Sequence, residues 1–135
     1  MKPNIVRKSS GAKAYLSKNN ATATNLIDAD ANKKLLLHQV FFWLKNPDSI
    51  EDREQLVKGI RCLAVIETVC RLHVGLLAST EKRDVVDTSW QVNELLFFKD
   101  AKGQKEYQDH PLHHAFIDTC SHLWSRVLVY DAVEA

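Results

Sequence analysis

The stretch LLLHQVFFWL, residues 35–44, decides the fold of this chain. Its β-branched and aromatic content favours a strand, and Asn46-Pro47 ends it. Successive side chains of a strand point to opposite faces, yet here both sets are apolar. One face carries His38 with Leu36, Val40, Phe42 and Leu44, and the other carries Leu35, Leu37, Phe41 and Trp43. A strand that is apolar on both faces needs cover on both faces.

The pattern of apolar and polar residues after this strand predicts five further elements. Asp48 and Ser49 are candidate caps of a helix with apolar residues at helical spacing to about Ile66. Strands are predicted over residues 69–78, 91–98 and 124–131. A helix is expected from Asp100 to Tyr107, with a break at His110-Pro111 because proline disfavours helical geometry in the residue before it. The second helical piece is expected to bury a stripe made of Leu112, Ala115, Phe116, Cys120 and Leu123.

The resulting order, βαββαβ, predicts an α+β ferredoxin-like sandwich with one four-stranded antiparallel sheet. The first and third strands are central in that plan. Two helices cover one face of the sheet, so the apolar residues of the other face need a second cover. A second copy of the chain is the simplest one, which predicts a homodimer through the sheet face and hence a dimeric α/β barrel.

Composition excludes several classes of function. A formal net charge of +1 gives no support for a nucleic-acid or membrane partner, and no apolar run approaches a membrane span. The three cysteines lack metal-site or redox-motif spacing and lie on apolar stripes, which favours reduced core thiols in a cytoplasmic protein without a metal or cofactor. Residues 1–33 are polar, and we expect a flexible extension there, although their Lys and Ser content also resembles a transit peptide. The folded domain is expected over residues 34–135.

Residues 35 to about 132 resemble the stress-responsive dimeric α/β barrel (Dabb) family. The resemblance rests on LLLHQVFFWL, the HVG of the second strand, the loop STEKRDVVD, YQDHPLHHAF and the closing LWSRVLVYD. It implies a ferredoxin-like fold and a barrel-shaped dimer. A plant polyketide cyclase of similar pattern closes its substrate by aldol condensation in a pocket between sheet and helices.

By position, this resemblance implies that Tyr107 and His113 are the catalytic pair, while His38 and Trp124 also line the pocket. Leu56 stands where the plant enzyme has an aromatic residue, and Glu94 replaces an apolar one, so we expect a different substrate. The predicted ligand-binding residues are His38, Val40, Phe42, Leu56, Glu94, Leu96, His110, Phe116 and Trp124.

Two residues in this set leave alternatives open. Glu94 either faces the helices, where His38 is a candidate partner, or reaches the rim of the barrel. His110 and His114 have the i, i+4 spacing of a zinc pair, but a His110 that caps the helix would not be in register with His114. The loop Ser79–Ser89 is either a solvated connection or a pocket lid anchored by Trp90.

We therefore expect a protein that binds a small, mostly apolar, carbonyl-containing molecule. One alternative is a cyclase-like proton-transfer enzyme in which His113 accepts the proton and Tyr107 hydrogen-bonds the oxyanion. The other alternative is a structural stress protein without a ligand.

Overall fold

The computed structural model describes residues 34–135. The predicted N-terminal extension, residues 1–33, lies outside the described residues. Leu36–Ala132 form one compact unit, which contains every residue of the site discussed below. Across residues 34–135, no helix combines the length and the apolar character needed to cross a membrane.

The described chain follows the predicted order of elements. The strands are β1 (Leu36–Leu44), β2 (Arg71–Leu76), β3 (Val92–Phe98) and β4 (Trp124–Val133). The helices are α1 (Ile50–Arg61), α2 (Ala101–Asp109) and α3 (Pro111–Cys120). Short 3₁₀ turns, Cys62–Val65 and Ser121–Leu123, follow α1 and α3.

The four strands form one antiparallel sheet in the order β2-β3-β1-β4, so β1 and β3 are central as predicted. In the β1–β3 pair, His38 lies opposite Leu96 and Val40 lies opposite Glu94. In the β2–β3 pair, Val74 lies opposite Glu94. This is the ferredoxin-like arrangement expected from the sequence.

Each helix begins at a side-chain cap. The Ser49 hydroxyl accepts from the Asp52 N–H at 3.1 Å, and the Asp100 carboxylate accepts from the Gly103 N–H at 2.8 Å. His110 caps α3 through Nδ1, which accepts from the Leu112 N–H at 3.0 Å, and Pro111 occupies the first turn. The predicted break at His110-Pro111 is therefore the junction of α2 and α3.

The two faces of β1 have different environments. Residues 36, 38, 40, 42 and 44 are buried under the helices, whereas residues 37, 39, 41 and 43 are half-buried on the open face. On the open face, Phe41 packs against Trp90 and Tyr130, with ring centroids 5.3 and 6.4 Å apart. The guanidinium of Arg126 lies 4.2 Å from the centre of the Trp43 ring.

The predicted buried stripe of α3 was partly wrong. Leu112 and Ala115 are exposed, and the buried residues of this helix are His113, Phe116 and Cys120. Phe116 and Cys120 are compatible with a buried stripe that starts at Leu112 and with one that starts at His113. Either starting residue lies with them within a helical face about 100° wide. Packing on the sheet selected the stripe that starts at His113.

The prediction that all three cysteines lie in the core was also wrong. Cys120 is buried, but Cys62 and Cys70 are exposed. Cys62 begins the 3₁₀ turn after α1, and Cys70 precedes β2. Both lie in a connection between elements, where the periodicity of a helix or strand no longer determines which side chains face the core.

Candidate ligand-binding site

Four polar side chains meet between the sheet and the helices. His38 comes from β1, Glu94 from β3, Tyr107 from α2 and His113 from α3. Their exposed fractions are 6%, 2%, 0% and 9%. We call these four residues the buried polar cluster.

Strand alternation explains how the sheet contributes its two members. His38 shares the helix-covered face with Leu36 and Val40, and Glu94 shares it with Val92 and Leu96. Since Glu94 lies opposite Val40, it is a diagonal neighbour of His38 on that face. Of the two alternatives for Glu94, the structure therefore has the one that faces the helices and not the rim.

Tyr107 is the hydrogen-bond partner of Glu94. The phenol hydroxyl donates to Oε2 of the buried carboxylate at 3.2 Å. Burial raises the pKa of Glu94 to about 7, against a smaller lowering by the Tyr107 hydrogen bond. Burial, together with the Glu94 charge and its hydrogen bond, raises the pKa of Tyr107. The pair therefore holds a neutral phenol beside a carboxyl that titrates near neutral pH.

His38 pairs with Asp131 and not with Glu94, which corrects the expected partnership. Its Nδ1 lies 2.5 Å from Asp131 Oδ1, and the Asp131 side chain is 49% exposed. A carboxylate at Nδ1 favours the proton on that nitrogen and leaves Nε2 as an acceptor. The Tyr107 ring lies edge-on to His38 at 6.0 Å. The buried polar cluster thus meets solvent on the side of Asp131.

His113 lies directly against Tyr107. The ring centroids are 4.8 Å apart in an edge-to-face arrangement, and burial lowers the pKa of His113, with smaller contributions from His114 and His38. His114 is exposed, so the two neighbouring histidines have the different environments that the sequence predicts. A neutral imidazole with a free electron pair is the form that accepts a proton.

Trp124 belongs to an adjacent aromatic group. Its ring lies 5.0 Å from Phe42 and 5.8 Å from Phe116, and Phe116 in turn lies 6.2 Å from His113. The other predicted apolar contributors, Val40, Leu56 and Leu96, are buried in the hydrophobic core. The predicted residues therefore form a polar half and an aromatic half that meet at His113.

His110 and the loop of residues 79–89 lie apart from the buried polar cluster. His110 is committed to capping α3, and its Nε2 lies 3.5 Å from Glu67 Oε1. The loop packs on the open face, where the Trp43 indole N–H donates to Ser89 Oγ at 2.9 Å. This placement favours the solvated connection over the lid, and Trp90 holds the end of the loop by donating to the Asp87 carbonyl at 3.1 Å.

Metal binding finds no support in the described part of the chain. Among residues 34–135, no group of three or more His, Cys, Asp or Glu side chains is arranged to hold an ion. Nδ1 of His110 accepts a backbone hydrogen bond, while His114 points to solvent one turn further on. The i, i+4 spacing of these two histidines reflects a helix cap and an exposed residue.

Asp131 is the member of the candidate site that the sequence did not indicate. It lies in the closing strand among Val129, Tyr130 and Ala132, so a carboxylate within an apolar run was the available signal. Its partner lies 93 positions away in the chain. Strand periodicity does not reveal a pairing across that separation.

The described residues form a ferredoxin-like α+β sandwich with a Tyr, a Glu and two His side chains buried between sheet and helices. Residues 36–134 match the model of the Stress Responsive A/B Barrel Domain family, Dabb. The chain belongs to this family. A search of curated proteins gives no match.

Several solved structures share the fold. A Dabb family protein with a ferredoxin-like fold from Mesorhizobium loti is 24% identical, with a TM-score of 0.62, over 76% of this chain and 99% of that chain. A dimeric ferredoxin-like protein of unknown function from Thermobifida fusca is 16% identical, with a TM-score of 0.61, over 76% and 92%. Hydroxynitrile lyase from Passiflora edulis is 11% identical, with a TM-score of 0.61, over 76% and 95%. At these identities the likeness concerns the fold alone.

Proposed function

We propose that this protein is a homodimer that binds a small, mostly apolar, carbonyl-containing molecule between its sheet and helices. The observation that carries the proposal is the buried polar cluster itself. Burying a carboxyl in a core costs several kcal/mol unless its interactions offset that penalty. Glu94 lies 2% exposed among Val40, Val92 and Leu96. Perturbed titratable groups of this kind concentrate at functional sites.

The surroundings of the cluster match such a ligand. The aromatic half, made of Phe42, Phe116 and Trp124, offers apolar surface next to His113. The Tyr107 hydroxyl can donate to a ligand oxygen when it no longer donates to Glu94. Small-molecule sites commonly combine mostly apolar walls with a few convergent polar groups.

The homodimer is supported by the open face of the sheet. Leu37, Phe41 and Trp43 remain half-buried there, without helices above them. A face of this kind is a candidate interface between two copies. The relative from Thermobifida fusca is described as dimeric.

A second candidate, proton transfer, is favoured by the contact between His113 and Tyr107. The lowered pKa of His113 keeps the imidazole neutral and able to accept a proton from the carbon next to a ligand carbonyl. As that C–H bond breaks, its electron pair forms the enolate, and the Tyr107 hydroxyl protonates or hydrogen-bonds the oxygen. If Tyr107 protonates the oxygen, a protonated Glu94 replaces the phenol proton, so the proton gained by His113 balances the proton lost by Glu94. If Tyr107 only donates a hydrogen bond, the protonated His113 balances the charge of the enolate. The fold accommodates an enzyme in Passiflora edulis, where the relative is a hydroxynitrile lyase.

The test begins with extraction of the purified protein and mass spectrometry of any bound compound, followed by NMR titration with apolar aldehydes and ketones. The proposal predicts saturable shifts in the signals of Tyr107 and His113. His114→Ala is the matched control, because it changes the neighbouring exposed imidazole. Absence of any saturable ligand would favour a structural stress protein instead.

If a substrate is turned over, the same three positions separate catalysis from binding. His113→Ala is expected to lower turnover by about 100-fold or more, as for the loss of a general base. Tyr107→Phe is expected to lower turnover while changing ligand affinity less. His114→Ala is expected to do neither, and equal effects at His113 and His114 would exclude the proton-transfer mechanism.

A further inference from the structure

One oxygen of Glu94 has no hydrogen-bond partner among the described residues. Oε2 accepts from Tyr107, but the buried Oε1 accepts from nothing within residues 34–135. The other buried side-chain oxygen of this kind in the same range is Thr68 Oγ1. A buried polar atom without a partner costs about 1–3 kcal/mol, so a site that retains one implies a role for it.

The neighbouring side chains cannot supply the missing hydrogen. Glu94 lies between Val92 and Leu96 on its own side of β3, with Val40 and Val74 opposite it on the two adjacent strands. These four side chains have no polar atoms. His38 on β1 is a diagonal neighbour of Glu94 on the same face, and its Nδ1 is paired with Asp131.

The charged and titratable groups facing Glu94 come from three elements. Tyr107 from α2 bonds to it directly, and His38 from β1 and His113 from α3 complete the buried polar cluster. Apart from burial, Tyr107 is the group that acts on the pKa of Glu94. Among residues 34–135, Tyr107 is the group hydrogen-bonded to the carboxyl, and it bonds through Oε2.

The demand on Oε1 depends on whether the carboxyl is ionised and on which oxygen carries its proton. When Glu94 is ionised, Oε2 accepts from Tyr107 and Oε1 is a bare carboxylate oxygen. When Glu94 carries its proton on Oε2, that proton is donated to the phenol oxygen, the phenol donates onward, and Oε1 is a carbonyl-type acceptor. In both of these states Oε1 is satisfied by a donor, whereas a proton held on Oε1 itself would need an acceptor.

We propose that Glu94 selects, among carbonyl-containing ligands, those that carry a hydroxyl next to the carbonyl, with the ligand hydroxyl donating to Oε1. This inference rests on the proposed function. With the Glu94 proton on Oε2, the phenol hydrogen is free for the ligand carbonyl. Because the two oxygens of one carboxyl are adjacent, the ligand groups that meet Oε1 and Tyr107 must also be adjacent in the ligand. An α-hydroxyketone has a donor and an acceptor on neighbouring carbons and meets both requirements.

Three probes of nearly equal shape test the proposal: 2-hydroxy-1-phenylethanone, its methyl ether, and acetophenone. The ether retains both oxygens and lacks the hydroxyl hydrogen. Calorimetric or NMR titration at pH 7 should show the hydroxyketone binding at least about 10-fold more tightly than the ether, since an unpaired buried polar group is strongly disfavoured in the complex. Glu94→Leu should reduce this preference to less than about 2-fold.

Glu94→Gln provides a second variant that keeps the shape of the side chain. The amide oxygen can accept from Tyr107, which turns an N–H donor toward the ligand. Its expected preference is the reverse of the wild type, for the ether over the hydroxyketone. Thr68→Val is the matched control, because it removes the other unpartnered buried oxygen and should leave the preference unchanged.

The outcomes separate this inference from the proposed function. Equal binding of all three probes to the wild type would overturn the role of Glu94 and leave carbonyl binding intact. A preference that persists unchanged in both Glu94 variants would also overturn it. Binding of none of the probes would contradict the proposed function and the hydroxyl preference together.

Discussion

Replacing Glu94 by glutamine should remove a pH dependence of stability that the buried carboxyl imposes on the fold. Burial raises its pKa from 4.5 to about 7, so the folded chain binds a proton that the unfolded chain has lost between those values. Stability therefore falls as pH rises through this window, by about 1.4 kcal/mol per pH unit and about 3 kcal/mol in all. Below pH 4.5 the carboxyl is protonated in both states and the penalty disappears.

The assay is urea unfolding of the wild type and Glu94→Gln at a series of pH values from about 4 to 8. The measured quantity is the difference in unfolding free energy between the two chains. His113 imposes the opposite slope below its ordinary pKa of 6.5, because its folded pKa is lowered, but it is present in both chains and cancels in the difference. The wild type should lose about 3 kcal/mol relative to the variant across the range, a large share of typical domain stability.

Tyr107→Phe provides an independent arm of the same test. It removes the hydrogen bond that lowers the pKa of Glu94, so that pKa should rise further and the loss of stability should extend to higher pH. A ¹³C-NMR titration of the Glu94 carboxyl should show the same order. A pH-independent difference between wild type and Glu94→Gln, or a carboxyl titrating near 4.5, would refute the reasoning from burial.

Three further predictions concern the dimer, the paired histidines and the packing of α1 on α3. Light scattering at micromolar concentration should give a dimer. Phe41→Asp should split or unfold the dimer because the new charge would be buried without a partner. A stable wild-type monomer would contradict the predicted dimer. In an NMR titration, His113 should have a pKa below 6.5, and His114→Ala should raise the pKa of His113 by removing a like charge. An unchanged pKa of His113 in this variant would show that the two imidazoles do not interact. Gly59→Ala should destabilise the fold by about 1–3 kcal/mol despite the better helix propensity of alanine, because the added Cβ would lie 2.6 Å from Cys120 Sγ. Cys120→Ala should relieve this loss of stability. A more stable Gly59→Ala variant would show that α3 can shift away from α1.

The sequence predicted the elements that have a strong local signal. Alternation in residues 35–44 identified β1 and its two apolar faces, and His110-Pro111 located the boundary between α2 and α3. The strand order follows from the order of elements, because few arrangements of βαββαβ bury one face of a sheet under two helices. The family resemblance, confirmed by the match over residues 36–134, identified the Tyr and His residues of the site.

The sequence could not determine the partners within the site. It offered His38 as the partner of Glu94, whereas Tyr107 bonds to Glu94 and Asp131 bonds to His38. Which of these pairs forms depends on differences of one or two ångströms in the positions of side chains from separate elements. Strand boundaries derived from sequence are uncertain by more than that.

The sequence alone determined local features. These are the two apolar faces of β1, the capped break before α3, and one ionisable residue on each of the four elements that line the site. Tertiary structure alone decided which stripe of α3 is buried, since the residues at 116 and 120 fit both stripes and packing on the sheet turned His113 inward and Leu112 outward. It also decided that Glu94 is buried and hydrogen-bonded to the phenol of Tyr107. A hydrophobic pattern specifies which residues need cover, whereas the position of each neighbour across the interface depends on how all the elements pack together.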